Sequence, residues 1–219
     1  MRDNTFRKSL NNAIYRENSP EIMVRFRPME SGTFIAEIKD PIEDPKQFSS
    51  IVQAMGDMEK DDVFELHLTT DGGSISAGSC LLHAMDKCKG HIHVVATGGV
   101  HSFGTAILLK AHSFELSHEF EALIHAGSLG YGSDFSEYKQ YSEFSIRQHD
   151  KFIRNTYKHF LNESEIVSLL NGKPIVLDAD EWVSRSEQMN ILITKEMEGS
   201  VKKPRKKPVS KKTVTDFKE

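Results

Sequence analysis

"FELHLTTDGGSISAGSCLLHAM", residues 64–85, decides how this chain folds. Phe64, Leu66 and Leu68 alternate with Glu65 and His67, the period-two pattern of a strand with one apolar face. The run from Ser74 to Met85 reads as a helix. Asp71, Gly72 and Gly73 stand between the two. A Gly-Gly pair lets the backbone take positive φ and lets another chain come close. The helix start behind it offers unpaired N–H groups to whatever approaches. The corner is thus either a tight turn that needs glycine or a holder for a negatively charged atom or an extended peptide, and the pair alone does not choose.

The same plan recurs on both sides of this stretch. Downstream, strand "HIHVVAT" (91–97) meets a second glycine corner, "GGVHSFG" (98–104), and then the helix "TAILLKA" (105–111). Upstream, "IMVRFRP" and "GTFIAEI" alternate like two strands around the turn "MESG". Pro45 then opens a helix in which Phe48, Ile51, Val52 and Met55 recur at helical intervals. Strand, helix, strand, helix predicts an α/β fold with parallel strands and right-handed crossovers. Beyond it, "HSFELS" and "FEALIHA" read as short strands, followed by the glycine-rich "GSLGYGS". Residues 134–161 contain neither Gly nor Pro and predict one long helix, with Phe135, Tyr138, Tyr141, Phe144 and Ile146 as an irregular stripe for packing on a neighbour. A last helix starts at "DADEW", where Asp178 and Glu181 have the spacing of a capping box.

Composition bounds the function. A chain of 219 residues with 27% charged residues suits one soluble domain. No apolar run nears the roughly 18 residues of a membrane span, and the polar start has no signal-peptide core, so a cytoplasmic protein is expected. Cys80 and Cys88 lie too far apart along one helix to bridge and are expected as buried thiols. The net charge of −4 divides unevenly, because from Ser200 onward eight Lys or Arg face only two acids. That basic tail is expected to be disordered and solvated, with nucleic acid or an acidic partner as the alternative. The ten histidines lack paired ligand spacing, so neither a metal nor a cofactor is expected.

Ser102 sits in the second glycine corner, where a strand-to-helix turn holds a hydroxyl clear of the backbone and close to the N–H groups of the helix start. A serine needs a base to act as a nucleophile. His125 closes the strand "FEALIH" and so lies at a carboxyl end, where open α/β sheets place their sites. His101 is adjacent in sequence, but consecutive residues at such a turn point apart. His91, His93, His112 and His118 lie at strand starts or polar corners and read as solvated.

Taken in order, "PIEDPKQF", "TTDGGSISAG", "GGVHSFGTAILLKA", "ALIHAGSLGYG" and "LDADEWV" resemble the proteolytic subunit of the Clp protease, the ClpP family, over roughly residues 35–193. The resemblance implies a ClpP/crotonase-like fold of stacked β-α-β turns with a protruding handle helix, in a domain over residues 31–198. A divergent N-terminal segment (1–30) precedes it and the basic tail (199–219) follows. It implies a serine endopeptidase that cuts unfolded or extended polypeptides inside a homo-oligomeric, heptameric ring. Ser102 becomes the nucleophile, His125 the general base, and the N–H groups of Gly73 and Phe103 the oxyanion hole. Gly72, Ser74, Ile75 and Gly127 become substrate-binding positions, with the peptide added as a strand along "GGSI".

Several departures qualify this. Asp71 stands where the family usually has proline and favours basic peptides, and His101 replaces a small residue. The family's triad aspartate falls on Pro174, for which Asp178 and Asn171 are the candidate substitutes. The family also implies an AAA+ ATPase partner, and the first 30 residues do not match the segment that meets it. Divergent members of this kind resemble phage proteases that process capsid or scaffold proteins. Two alternatives stay open: a catalytically inactive or weak subunit with a structural or regulatory role, and a crotonase-type enzyme acting on an acyl-CoA.

Overall fold

The computed structural model describes residues 25–27, 31–128 and 135–201. Its main sheet has the order β1-β2-β3-β4-β6, formed by Arg25–Arg27 (β1), Thr33–Ile38 (β2), Val63–Leu68 (β3), His91–Ala96 (β4) and Ser113–Leu116 (β6). All neighbours are parallel except β1, which runs antiparallel to β2. The alternation read from the sequence has a direct consequence in the register. Phe34 pairs with Phe64, Ala36 with Leu66 and Ile38 with Leu68, while Phe64 and Leu66 pair onward with Ile92 and Val94. These residues therefore fall on one face, and all of them are buried.

Three helices cover that face: Ser49–Asp57 (α1), Ile75–Lys87 (α2) and Phe103–Lys110 (α3). They contribute Ile51 and Met55, Leu81 and Met85, and Ile107 to the core. Each such side chain contributes about 1.5–3 kcal/mol on burial. Parallel sheets are usually covered on both faces. Here the other face mixes Glu65, His67, His91 and His93 with Ile35, Val63 and Val95, and it stays half-buried or exposed. Cys80 and Cys88 are free thiols and half-buried rather than buried.

A second sheet, β5-β7-β8, consists of Gly99–His101 (β5), Glu121–Ile124 (β7) and Ile175–Asp178 (β8). β5 runs parallel and β8 antiparallel to β7. The sequence reading had assigned β5 to the glycine corner and had not foreseen β8. β5 lies inside a glycine corner and Ile175–Leu177 is an apolar run without alternation, so neither shows period two, and both exist because β7 offers them a backbone partner. A bridge between Thr70 and Val100 ties the two sheets together.

The long helix is Phe135–Thr156 (α4), five residues shorter at its end than expected. The chain leaves the helix there because His159 takes φ 70 and Lys158 bridges to Leu161, while Tyr157, Phe160 and Leu161 stay buried. Asn162 then caps Glu163–Leu170 (α5), also not foreseen, through a capping box with Glu165. The last helix, Ala179–Val201 (α6), is pinned by Trp182, which is fully buried against Phe120 and Phe160. The expectations for the N-terminal segment, for "GSLGYGS" beyond Ser128 and for the basic tail beyond Val201 concern positions outside the described residues, apart from the three of β1.

Candidate active site

The two glycine corners are built against each other. Gly72 has φ +85, and a Cβ there would lie 2.5 Å from Ser102 Cβ and 2.8 Å from the Phe103 nitrogen. Gly73 has φ +145, and a Cβ there would lie 2.2 Å from the Ile42 carbonyl oxygen. Ile42 holds this corner from one side only, its N–H donating to the Gly72 carbonyl and its carbonyl accepting from Ser74 N–H, both at 2.7 Å. In a parallel bridge of that pattern, the N–H and C=O of the intervening Gly73 point the opposite way. They face a cavity of about 920 Å³ whose wall includes Gly73, Ser74, Ile75, Ser102, Phe103, His125 and Gly127. Gly72 lies behind that wall as a spacer. Ser74 also caps α2, its hydroxyl accepting from Ala77 N–H.

Ser102 stands at the cavity with φ 53 and ψ −122. A non-glycine residue in this region stores strain of order 1–3 kcal/mol and persists only where its surroundings impose it. Three bonds impose it here. Ser102 N–H donates to the Leu123 carbonyl at 2.7 Å, His101 N–H donates to the Thr70 carbonyl at 2.8 Å, and Thr105 Oγ1 donates to the Ser102 carbonyl at 2.6 Å. Thr105 Oγ1 also meets the buried Tyr157 hydroxyl at 2.6 Å, and burial pushes that phenol up to about 12. The hydroxyl of Ser102 is thereby presented at the first turn of α3, where the Phe103 N–H is one of the helix's unpaired donors. The Phe103 ring is buried, packs closely on Gly78 of α2 and stacks on Phe152 of α4 at 5.8 Å.

His125 follows β7 and lines the same cavity, yet among the described residues no hydrogen bond joins it to Ser102. Its Nδ1 accepts instead from Gly127 N–H at 3.1 Å. His101 turns away, lying 3.4 Å from Asp71 and 3.2 Å from Glu121. Asp71 itself is 89% exposed and reaches the cavity rim.

The structure does not bring Asp178 to His125. In the β7–β8 register Asp178 stands opposite Glu121, at the far end of β7. Its carboxylate accepts from Glu181 N–H at 2.9 Å, and the Glu181 carboxylate accepts from Asp178 N–H at 3.2 Å, so its role is that of a cap. Asn171 is exposed at the end of α5. Ile175 pairs with Ile124, so the next step of the same register sets Pro174 opposite His125.

One cavity residue escaped the sequence reading. His149 comes from α4, on the face that also turns Tyr141, Ser145, Phe152 and Ile153 inward. The apolar stripe drew attention instead, and its members Phe144 and Ile146 line the same cavity while staying 51% and 64% exposed. Burial lowers the pKa of His149 and His125 lowers it further, against a backbone bond to Ala126 and the charge of Asp150. Its Nε2 is buried without a hydrogen-bond partner. The only available signal was its spacing of four from Ser145 and from Ile153.

Among the described residues no group of three or more His, Cys, Asp or Glu could hold a metal ion, and no helix is long and apolar enough to cross a membrane. The family model described as Clp protease matches residues 33–191. A search of curated proteins finds no match.

Proposed function

The chain belongs to the Clp protease family, and from that premise we propose that it is a serine endopeptidase acting on extended polypeptide through Ser102 and His125. The observation that carries this reading is the strained elbow at Ser102, held open on a cavity that His125 shares. The substrate lies as an added strand beside Gly73, Ser74 and Ile75, its backbone meeting the outward-facing groups of Gly73. Ser102 Oγ attacks the scissile carbonyl as His125 Nε2 takes the hydroxyl proton, and the Gly73 and Phe103 N–H groups receive the oxyanion. The proton passes to the departing amine, and water then clears the acyl group. The apolar residues exposed on α4, with Phe144 51% and Ile146 64% exposed, support assembly of several copies into a ring that encloses these sites.

A fluorophosphonate probe tests the reading. Labelling of the wild-type chain that disappears in Ser102→Ala is expected, together with release of peptides from an unfolded protein and an oligomer by light scattering. Unlabelled wild-type protein in an assembled state would favour the second reading, a ring subunit without peptidase activity. That alternative has its own support in the proline opposite His125 and in the Gly127 bond at His125 Nδ1.

A further inference from the structure

We propose that His149 is the positioning residue for His125, its Nε2 accepting the His125 Nδ1–H in the place that a carboxylate would take opposite Pro174. The inference rests on the Ser102–His125 reading and deepens it. In the observed arrangement His125 Nδ1 accepts from Gly127 N–H, so the neutral ring carries its proton on Nε2. That tautomer has no lone pair to offer Ser102. Action as a base through Nε2 requires the other tautomer, and its Nδ1–H then needs an acceptor. Gly127 N–H is a donor, and the side chain of Pro174 accepts nothing.

His149 meets the requirement. It lines the same cavity, and Gly127 lies between the two rings, its N–H on His125 and a Cβ at its position falling 3.5 Å from His149 Cε1. The Ala126 backbone beside the ring favours its protonated form, against the larger effect of burial. Nε2 is buried without a hydrogen-bond partner, so in the tautomer protonated on Nδ1 it holds an unused lone pair. Burial keeps the ring neutral and so preserves that lone pair. Gly127, with φ +71, is the residue whose turn releases His125 Nδ1.

In the proposed step the Ser102 Oγ–H proton moves to His125 Nε2 as the Oγ–carbon bond forms. His125 is then protonated on both nitrogens and donates Nδ1–H to His149 Nε2. When the carbon–nitrogen bond breaks, the Nε2 proton leaves with the amine and both rings are neutral again.

The test compares His149→Phe, which keeps a ring but no acceptor, with His149→Gln, which keeps an acceptor oxygen. Phe is expected to slow fluorophosphonate labelling and kcat by about 10- to 100-fold, less than the roughly 10⁴-fold that a triad carboxylate carries, while KM changes little. Gln is expected to retain most of both. Proton NMR of the phosphonylated wild-type protein should show a strongly downfield His125 Nδ1–H that couples to His149 and is absent in the Phe variant. Equal activity in all three proteins, or an equal loss in Phe and Gln, overturns the inference while Ser102-dependent labelling leaves the peptidase reading standing. Should the Phe variant fail to fold, the wild-type NMR signal and its coupling to His149 decide alone. Absence of Ser102-dependent labelling in the wild type defeats the peptidase reading itself.

Discussion

The two halves of the candidate site are constructed differently. The nucleophile half is almost entirely backbone: Gly72 behind Ser102, Ile42 gripping Gly73, and Thr70 and Leu123 holding the elbow. Each part restrains the next, so the main chain of Ser102 and the Gly73 N–H are held in place. The base half is assembled from side chains on three separate elements: His125 after β7, His149 on α4 and Pro174 before β8. The bond from Gly127 N–H to His125 Nδ1 favours the tautomer that cannot serve Ser102. On the proposed reading the site is held by backbone where charge would develop and is unfinished where the proton would go.

The largest effect that would break this contrast comes from Gly73→Ala. The new Cβ would sit 2.2 Å from the Ile42 oxygen at a φ of +145, so the corner must shift and carry its N–H with it. Loss of one oxyanion donor costs about 100- to 1000-fold, and the fluorophosphonate labelling rate is expected to fall by that much. A rate within about twofold of wild type would show that the N–H of Gly73 takes no part.

A smaller change, in the opposite direction, is expected from Pro174→Asp. It sets a carboxylate opposite His125 at the position that the β7–β8 register indicates. If the base half limits the reaction, labelling should rise by about tenfold or more, a fraction of what the third triad member supplies elsewhere. An unchanged rate would place the limitation in the nucleophile half and reverse the comparison.

The smallest effect sharpens the assignment of Asp178. As the cap of α6, its replacement in Asp178→Ala should cost about 1 kcal/mol of stability in denaturant melts, with labelling of the folded protein unaltered. A labelling rate that drops tenfold at unchanged stability would return Asp178 to the chemistry.

How far the sequence could be read follows the same division. The alternation in "GTFIAEI", "DVFELHL" and "HIHVVAT" marks three strands because each buries one face, and the helical intervals around Ile51 mark one of their covers. β5 and β8 are not legible because one lies in a glycine corner and the other is an apolar run without alternation, and their existence depends on β7. The end of α4 was misplaced because Tyr157 looks like any other helix residue until its hydroxyl is seen buried against Thr105.

By itself the sequence determined the two glycine corners, the serine in one of them and the parallel sheet that presents both. Glycine pairs, a capped helix start and period-two burial are local properties that need no distant partner to be recognised. Only the tertiary structure decided what stands around His125. It sent Asp178 to cap a helix, set Pro174 across the strand and turned His149 into the cavity. Those placements depend on the register between β7 and β8 and on the rotation of α4, and both are fixed by packing between segments remote from one another along the chain.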